Sequence, residues 1–381
     1  MESVGRTGGN VVLFHHMEAL AKDGHEVRMV SPFGELRWSP GMLAQIDSAA
    51  KLVGYDGIWR LARRTQSVTR NVLPWIERKI MACFRGDAHR RSANITRRLL
   101  ARWQNSDITV ATHSFTAQAA ALVADRSRAF YHIQGYEPWF SENGSFQAIA
   151  KLSYHLPLTK IANCTWLLNV VRDLSGDEVR LVYPGVNHEV FYPRTMPPNK
   201  PMNNCQNRRI KIVSYADPRP FKGWLESQEA MRIVFNELSQ ETEVEWSVFG
   251  GITRGAIGMP LKYHGFLPHS ELGALYRTAD LVFIPSWFES FPLQPLEAMA
   301  CGVAVITTRI GTEDYARHEE TAMVVEPRNA GALARSIIDL ARDQSKRTQI
   351  AASGATEAQR FTWSNSAQSI KSALDLFSAV E

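Results

Sequence analysis

Cysteine is scarce: four in 381 residues, at Cys83, Cys164, Cys205 and Cys301, all far apart. Neither a Cys-x-x-Cys pair nor a Cys/His cluster at metal-ligand spacing occurs. This argues against a disulfide framework and a structural zinc, and it fits a reducing compartment. No run of 18 apolar residues is present, so nothing reads as a membrane-spanning helix. The opening MESVGRTGG lacks the apolar stretch of a signal peptide, and a cytoplasmic location is expected. The sequons at Asn94, Asn143 and Asn163 then carry no glycan. An Asp-x-Asp chelating pair is also missing, so neither a metal nor a cofactor is expected. No repeat at a solenoid or propeller period and no nucleic-acid-binding module stands out.

What is present is ordinary globular material, 45% hydrophobic and 21% charged, enough for two domains with proper cores. The net charge of +5 is unevenly spread. Residues 56–103 hold twelve Arg or Lys against three acids, net +9, which leaves the remainder at −4. Trp59, Trp75, Phe84 and Trp103 interleave with these arginines, and Arg97-Arg98-Leu99-Leu100 reads as an amphipathic helix. Two readings stand for the segment. It is a face for an anionic membrane surface, or it is a solvated helical face whose tryptophans belong to the core.

Along the chain, short apolar runs alternate with longer amphipathic stretches, the pattern of an α/β protein with parallel sheets. A helix is expected over Asn10 to Ala21. In the first half, strands are expected at His25–Val30, Ile108–Thr112, Ala129–Gln134, Leu158–Ala162 and Val179–Tyr183. In the second half they fall at Ile210–Ser214, Glu243–Phe249, Leu281–Pro285, Val303–Thr307 and Ala322–Val325. Between the halves, residues 193–208 carry four prolines and four asparagines and read as a linker. The expected division is therefore 1–192, linker 193–208, 209–360, and a C-terminal helix within 361–381 packing back on the first domain. A Rossmann domain opens on a buried strand ahead of its Gly-rich turn. Here Gly8-Gly9 follows Met1 almost directly, so that strand is short or absent, and the natural start is expected upstream.

The densest signal is Ser286-Trp287-Phe288-Glu289-Ser290-Phe291-Pro292-Leu293-Gln294-Pro295-Leu296-Glu297. It follows an apolar strand and opens a helix, with Ser290 placed to cap it and Pro292 in its first turn. A helix start with unpaired N–H groups is a site for phosphate. Glu289 ahead of the helix and Glu297 about two turns inside it can accept hydrogen bonds from sugar hydroxyls. Arg219-Pro220-Phe221-Lys222-Gly223 follows the strand at 210–214 and offers cations for a leaving diphosphate. His113 ends another strand, where open α/β sheets bind ligands, though a lone histidine there also serves structure. Gly8-Gly9 is either a close-approach turn or a plain one.

Together these segments resemble family 4 (group 1) retaining glycosyltransferases. The Glu289/Glu297 spacing matches their E-x7-E signature, and 298–307 matches the helix-to-strand passage behind it. Tyr263-His264-Gly265-Phe266-Leu267, Asp280–Ser286, Gly24-His25-Glu26-Val27 and Val182-Tyr183-Pro184-Gly185-Val186-Asn187 are similar to their family counterparts. Tyr131–Phe140 is similar to a segment of bacterial rhamnosyltransferases of that family. The resemblance implies a GT-B fold, two Rossmann-like domains with parallel sheets facing across a cleft.

It also implies roles. Glu289 and His113 would serve the transferred sugar, Glu297 the ribose, and Gly265 and Phe266 the base. Ser290, the backbone amides of Phe291 and Leu293, and Gly9 would lie at the sugar and pyrophosphate, with Arg219 and Lys222 on the diphosphate. Where the family has arginine, this chain has Asp217, and Arg219 stands two residues on. The implied reaction moves a hexose or deoxyhexose from a nucleotide-diphosphate sugar, with retention, to a glycan or lipid-linked acceptor in cell-surface polysaccharide or glycolipid synthesis. The enzyme would be cytoplasmic, with peripheral attachment to the membrane's inner face through 56–103, and would bind no nucleic acid. The rivals are a non-catalytic nucleotide-sugar-binding scaffold and a GT-B-like sugar-nucleotide epimerase. A phosphorylase would need a pyridoxal-phosphate lysine, for which no candidate exists.

Overall fold

A computed structural model describes residues 8–31, 45–48, 87–194, 209–251 and 258–376. Most of the expected linker, Trp59, Trp75, Phe84, Cys83, Cys205 and the segment before Gly8 lie outside the described residues. The chain divides into two compact units, residues 1–183 with 367–381, and residues 184–366.

In the first unit, α1 (Gly8–Lys22) leads to β1 (Arg28–Ser31), which pairs in parallel with β2 (Gln45–Ser48). After α2 (Asp87–Leu100), a four-stranded parallel sheet runs in the order β3-β4-β5-β6. Its strands are β3 (Ile108–Ala111), β4 (Arg128–Ile133), β5 (Thr159–Ala162) and β6 (Val179–Leu181). Crossovers are made by α3 (Ser114–Ala121), α4 (Gly144–Ser153) and α5 (Thr165–Ser175). The strand ends lie within a few residues of their expected positions. The exception is β2, which the sequence reading did not anticipate: Gln45-Ile46-Asp47-Ser48 has no apolar run.

The second unit is a six-stranded parallel sheet, order β12-β11-β10-β7-β8-β9. The strands are β7 (Arg209–Ala216), β8 (Glu243–Gly250), β9 (Lys262–Gly265), β10 (Leu281–Ile284), β11 (Ala304–Thr308) and β12 (Met323–Val325). Every residue of β10 and β11 is buried. Helices α6 (Trp224–Leu238), α7 (His269–Thr278), α8 (Leu293–Ala300) and α9 (Ala330–Arg342) follow strands, and α10 (Gln344–Ala358) follows α9. The core gathers Ile212, Trp246, Phe283, Ile306, Ile337 and Leu340. Trp246 donates its indole N–H to Ser214 Oγ at 2.9 Å, so the buried ring leaves no polar atom unpaired. The unexpected strand here is β9, an edge segment with exposed Lys262 and Tyr263 that carries no apolar alternation.

The unit boundary precedes the proline-rich break. Residues 184–194 sit with the second unit: Phe191 is buried against Tyr276 and His269, and Val186 N donates to Phe361 O at 2.9 Å. The last turns of α11 (Trp363–Ala373) belong to the first unit, where Ile370, Ala373 and Leu374 pack with Phe130, Ile161 and Val182.

Candidate functional site

In a parallel sheet, ligands meet the carboxyl ends of the strands. In the second unit those ends carry two loops, 217–223 after β7 and 285–292 after β10. They interlock. Trp287 N donates to Phe221 O at 2.7 Å, and the rings of Phe221 and Phe288 stack at 5.0 Å with 15° between planes. A third loop, after β11, closes on them: Glu289 N donates to Ile310 O at 3.1 Å. There Gly311 has φ +91°, and a Cβ on it would meet Glu289 O at 2.3 Å, so only glycine lets the two backbones approach.

This interlocking brings Glu289 and Lys222 together, 67 residues apart in sequence. Lys222 Nζ donates to Glu289 Oε1 at 2.5 Å, and both side chains are mostly covered. Sequence reasoning gave the two separate duties and did not foresee the pair. A second pair lies beside it. Arg219 grips Asp217 through Nε–H to Oδ1 and a terminal N–H to Oδ2, both at 2.8 Å, and its backbone N–H also reaches Oδ1 at 2.9 Å. Tyr215 donates its hydroxyl to Oδ2 at 2.8 Å. Burial works against the Asp217 carboxylate, but the Arg219 and Tyr215 hydrogen bonds outweigh it and hold the carboxyl down at about 2. Asp217 therefore stays ionised and fixes Arg219, whose guanidinium lies 5.2 Å from the Phe221 ring centre and remains half exposed. Two acids and two bases thus form a locally neutral group whose cations are presented on a fixed framework.

The helix after this loop begins later than expected. Its first residue is Leu293 and its N-cap is Pro292, with φ −68° and ψ 124° and no side-chain cap. The expectation that Ser290 caps it is corrected. Proline disfavours helical backbone in the residue before it, so Phe291 cannot join the helix and Ser290 stands too far upstream. Glu297 is accordingly about one turn inside α8, not two. Leu293, the first helical residue, has a backbone N–H with no acceptor inside the helix. Phe291 is buried against Tyr315 and Phe361. Glu297 is buried, and burial pushes its carboxyl up to about 8. Phe266, after β9, is 79% exposed, and its ring lies against Gly251, where a Cβ would come within 2.5 Å of it. Gly265, the last residue of β9, has φ +68°.

Gly9 and His113 lie in the first unit. A Cβ at Gly9 would sit 3.5 Å from Gln134, an ordinary contact, so the described residues alone do not demand glycine there. His113 follows β3, as expected, and caps α3 in a capping box. Its Nδ1 accepts from Phe115 N at 3.2 Å, while Thr116 Oγ1 accepts from His113 N at 3.0 Å. With Nδ1 accepting, the ring proton is on Nε2, which faces Glu137 Oε2 at 3.3 Å. Glu137, not singled out from the sequence, is a buried hub. It accepts from Ser114 N at 3.0 and 2.9 Å on its two oxygens and from Tyr131 OH at 2.7 Å. No spacing rule reveals such a residue; only a polar residue within an otherwise apolar turn hints at it.

The basic segment is described from Asp87 on. Of α2, Ile95 and Leu99 are spent on a core with Phe115, Ala119 and Ile149, while Arg90 and Arg91 are exposed. Trp103 donates its indole N–H to Thr109 Oγ1 at 3.1 Å. The apolar stripe of this helix is therefore unavailable to a lipid, and only its charge remains. Among the described residues no helix is long and apolar enough to cross a membrane, and no three His, Cys, Asp or Glu form a metal-binding group.

Residues 257–357 match the family described as glycosyl transferases group 1. The O-antigen biosynthesis protein RfbC of Myxococcus xanthus is 29% identical over 240 residues, 61% of this chain and 18% of that one. A D-inositol 3-phosphate glycosyltransferase of Corynebacterium efficiens is 33% identical over 222 residues, 52% of this chain and 51% of that one. The chain thus spans about half, or less, of the length of these relatives. Among solved structures, sucrose-phosphate synthase from Thermosynechococcus elongatus aligns with TM-score 0.68 and 18% identity, covering 96% of this chain and 92% of that one. Anabaena HepE, solved in complex with UDP and glucose, aligns with TM-score 0.68 and 16% identity over 99% of this chain and 98% of that one. At such identities the likeness shows the fold, and the fold is GT-B.

Proposed function

With a group 1 glycosyl transferase segment at residues 257–357 on a GT-B fold, we propose that the protein is a retaining glycosyltransferase using a nucleotide-diphosphate sugar. The observation that carries the reading is the Lys222–Glu289 pair at the carboxyl ends of β7 and β10. It sets a cation for a diphosphate beside a carboxylate for sugar hydroxyls. Arg219, fixed by Asp217, adds a second cation in place of the family's arginine. Glu297 takes the ribose, Phe266 and Gly265 the base, and Ser290 with the amides of Phe291 and Leu293 the sugar and pyrophosphate. Gly9 leaves room for a phosphate, and His113 meets the sugar. The sugar is a hexose or deoxyhexose and the acceptor a glycan or lipid-linked glycan. The names of RfbC and HepE's bound UDP and glucose support this choice.

In the reaction the bond from C1 to the phosphate oxygen breaks and a bond from C1 to the acceptor oxygen forms on the same face. The acceptor's proton passes to the departing phosphate. Charge on that phosphate is offset by Lys222 and Arg219 rather than by a metal. Thermal shifts against UDP, GDP, ADP and their sugar conjugates should show one family of ligands stabilising the native state. With the matching sugar donor, release of nucleoside diphosphate is expected to proceed unchanged in EDTA. A complete loss restored by Mg²⁺ or Mn²⁺ would overturn the metal-free site, and binding without any release would favour the scaffold.

Attachment to an anionic leaflet is part of the proposal, through the basic segment 56–103, in which α2 offers its charge and not its apolar stripe. Co-sedimentation with phosphatidylglycerol vesicles should appear at low salt, fade as salt rises, and weaken on replacing Arg90 and Arg91 by Ser. Equal binding to phosphatidylcholine would contradict it.

A further inference from the structure

Outside the donor residues, the first unit carries an aromatic group at the carboxyl ends of its strands. After β4 the chain passes through Gln134-Gly135-Tyr136 into a single 3-10 turn, Glu137–Phe140. After β5, Trp166 stands at the start of α5. Trp139 stacks on Trp166 with centroids 5.4 Å apart, and the edge of Tyr136 meets Trp139 at 5.0 Å and Trp166 at 6.3 Å. Trp139 is 43% and Phe140 52% exposed.

The turn holding these rings is anchored by hydrogen bonds. The Glu137 carboxylate anchors it to Ser114 and Tyr131, and Glu137 N donates to Tyr154 OH at 3.2 Å. Phe140 folds back over Gly135, where a Cβ would lie 2.4 Å from its Cζ. Exposed large rings cost solvation, and burying them would be the default for a free-standing core. Here a buried carboxylate and a glycine instead hold them out, pre-ordered, at the ligand-binding edge of a parallel sheet.

We propose that Trp139 and Phe140, backed by Tyr136 and Trp166, form a stacking platform for a pyranose ring. That ring belongs to the glycan acceptor if the glycosyltransferase reading above holds. An indole face is apolar and electron-rich, and it matches the C–H face of a sugar while leaving the sugar's hydroxyls to water and polar neighbours. A membrane surface also takes exposed Trp and Phe, but at an anionic leaflet it asks for cations beside them. Between Arg128 and Lys151 the chain has no Lys or Arg, and exposed Glu142 follows the platform directly.

Saturation-transfer NMR on the full chain, with methyl α-glucoside, methyl α-mannoside and methyl α-rhamnoside as probes, tests this. Transfer to the ring C–H protons of at least one probe is expected. It should fall about tenfold in Trp139→Ala, fall also in Phe140→Ala, and persist in Trp139→Phe. The thermal shift with UDP or the preferred nucleotide serves as the fold control and should not change. No transfer to any probe overturns the platform, as does transfer indifferent to both alanine variants. Binding to phosphatidylglycerol vesicles that depends on Trp139, without glycoside contact, assigns the patch to a membrane and overturns it too. Glycoside contact that depends on Trp139, in a protein that binds no nucleotide, would leave the platform standing and sink the transferase reading instead.

Discussion

Replacing Glu289 by Gln is expected to lower kcat/KM by roughly 10²- to 10³-fold, the scale of losing one electrostatic group at a reacting centre. Replacing Lys222 by Ala should cost about 10²-fold for the same reason. The pairing of these side chains adds a constraint that neither residue carries alone. Each side chain is mostly covered, so removing one leaves the other with an uncompensated charge at the site. The double variant should therefore lose much less than the product of the single losses. The Glu289→Gln change also releases Lys222 from its internal counter-ion, so nucleoside diphosphate binding should tighten while turnover collapses. Steady-state kinetics on the four proteins, with calorimetric binding of the nucleotide, would check both halves. Losses that multiply to roughly 10⁴- to 10⁵-fold would mean that the two residues act independently. Full turnover in both single variants would move the site elsewhere.

The separate legibility of these parts has a physical origin. Buried parallel strands are apolar along their whole length, so β10 and β11 could be read from Leu281–Pro285 and Val303–Thr307 almost to the residue. Edge strands have no such requirement, and β2 and β9 passed unnoticed. Glu289, Lys222 and Arg219 were legible as residue types in loops after strands, and Glu297 in the helix that follows, because a motif records which groups gather at one end of a sheet. It does not record which of them touch. The Lys222–Glu289 contact depends on the Phe221/Phe288 stack and on Gly311 meeting the Glu289 carbonyl, both fixed by tertiary packing. Asp217 appeared as a departure from the expected arginine, and the structure gives it a use as the clamp on Arg219. The start of α8 falls later than a Ser290 cap would put it, because Pro292 keeps Phe291 out of helical backbone. His113 lies just beyond its strand end, with Nδ1 accepting from Phe115 N and Nε2 3.3 Å from Glu137 Oε2, on a ring that is 42% exposed.

Glu297 makes the second large prediction, in which stability and affinity move in opposite directions with pH. Burial raises its carboxyl from 4.5 to about 8, so the folded chain holds a proton that the unfolded chain releases near 4.5. Its contribution is therefore intact below about pH 4.5 and is lost as pH climbs toward 8, because in that window the folded state binds more protons. A Gln at this position has no proton to lose. Glu297→Gln should match the native protein near pH 4.5 and exceed it by about 3 kcal/mol at pH 7, roughly 5–10 °C in the unfolding midpoint. Nucleotide binding should show the reverse trend. Ribose hydroxyls donate best to an ionised carboxylate, so binding favours the charged form, releases a proton, and strengthens as pH rises toward 8. In Glu297→Gln the affinity should be weaker and should lose that dependence. Tyr276 and Cys301 beside it are pushed up chiefly by burial, so both neighbours stay protonated across the range. Thermal unfolding and isothermal titration with nucleoside diphosphate between pH 5 and 8.5 would read both trends. Parallel stability curves for the two proteins would mean that Glu297 is ionised in the empty site, and an affinity indifferent to both pH and the substitution would remove it from the ribose.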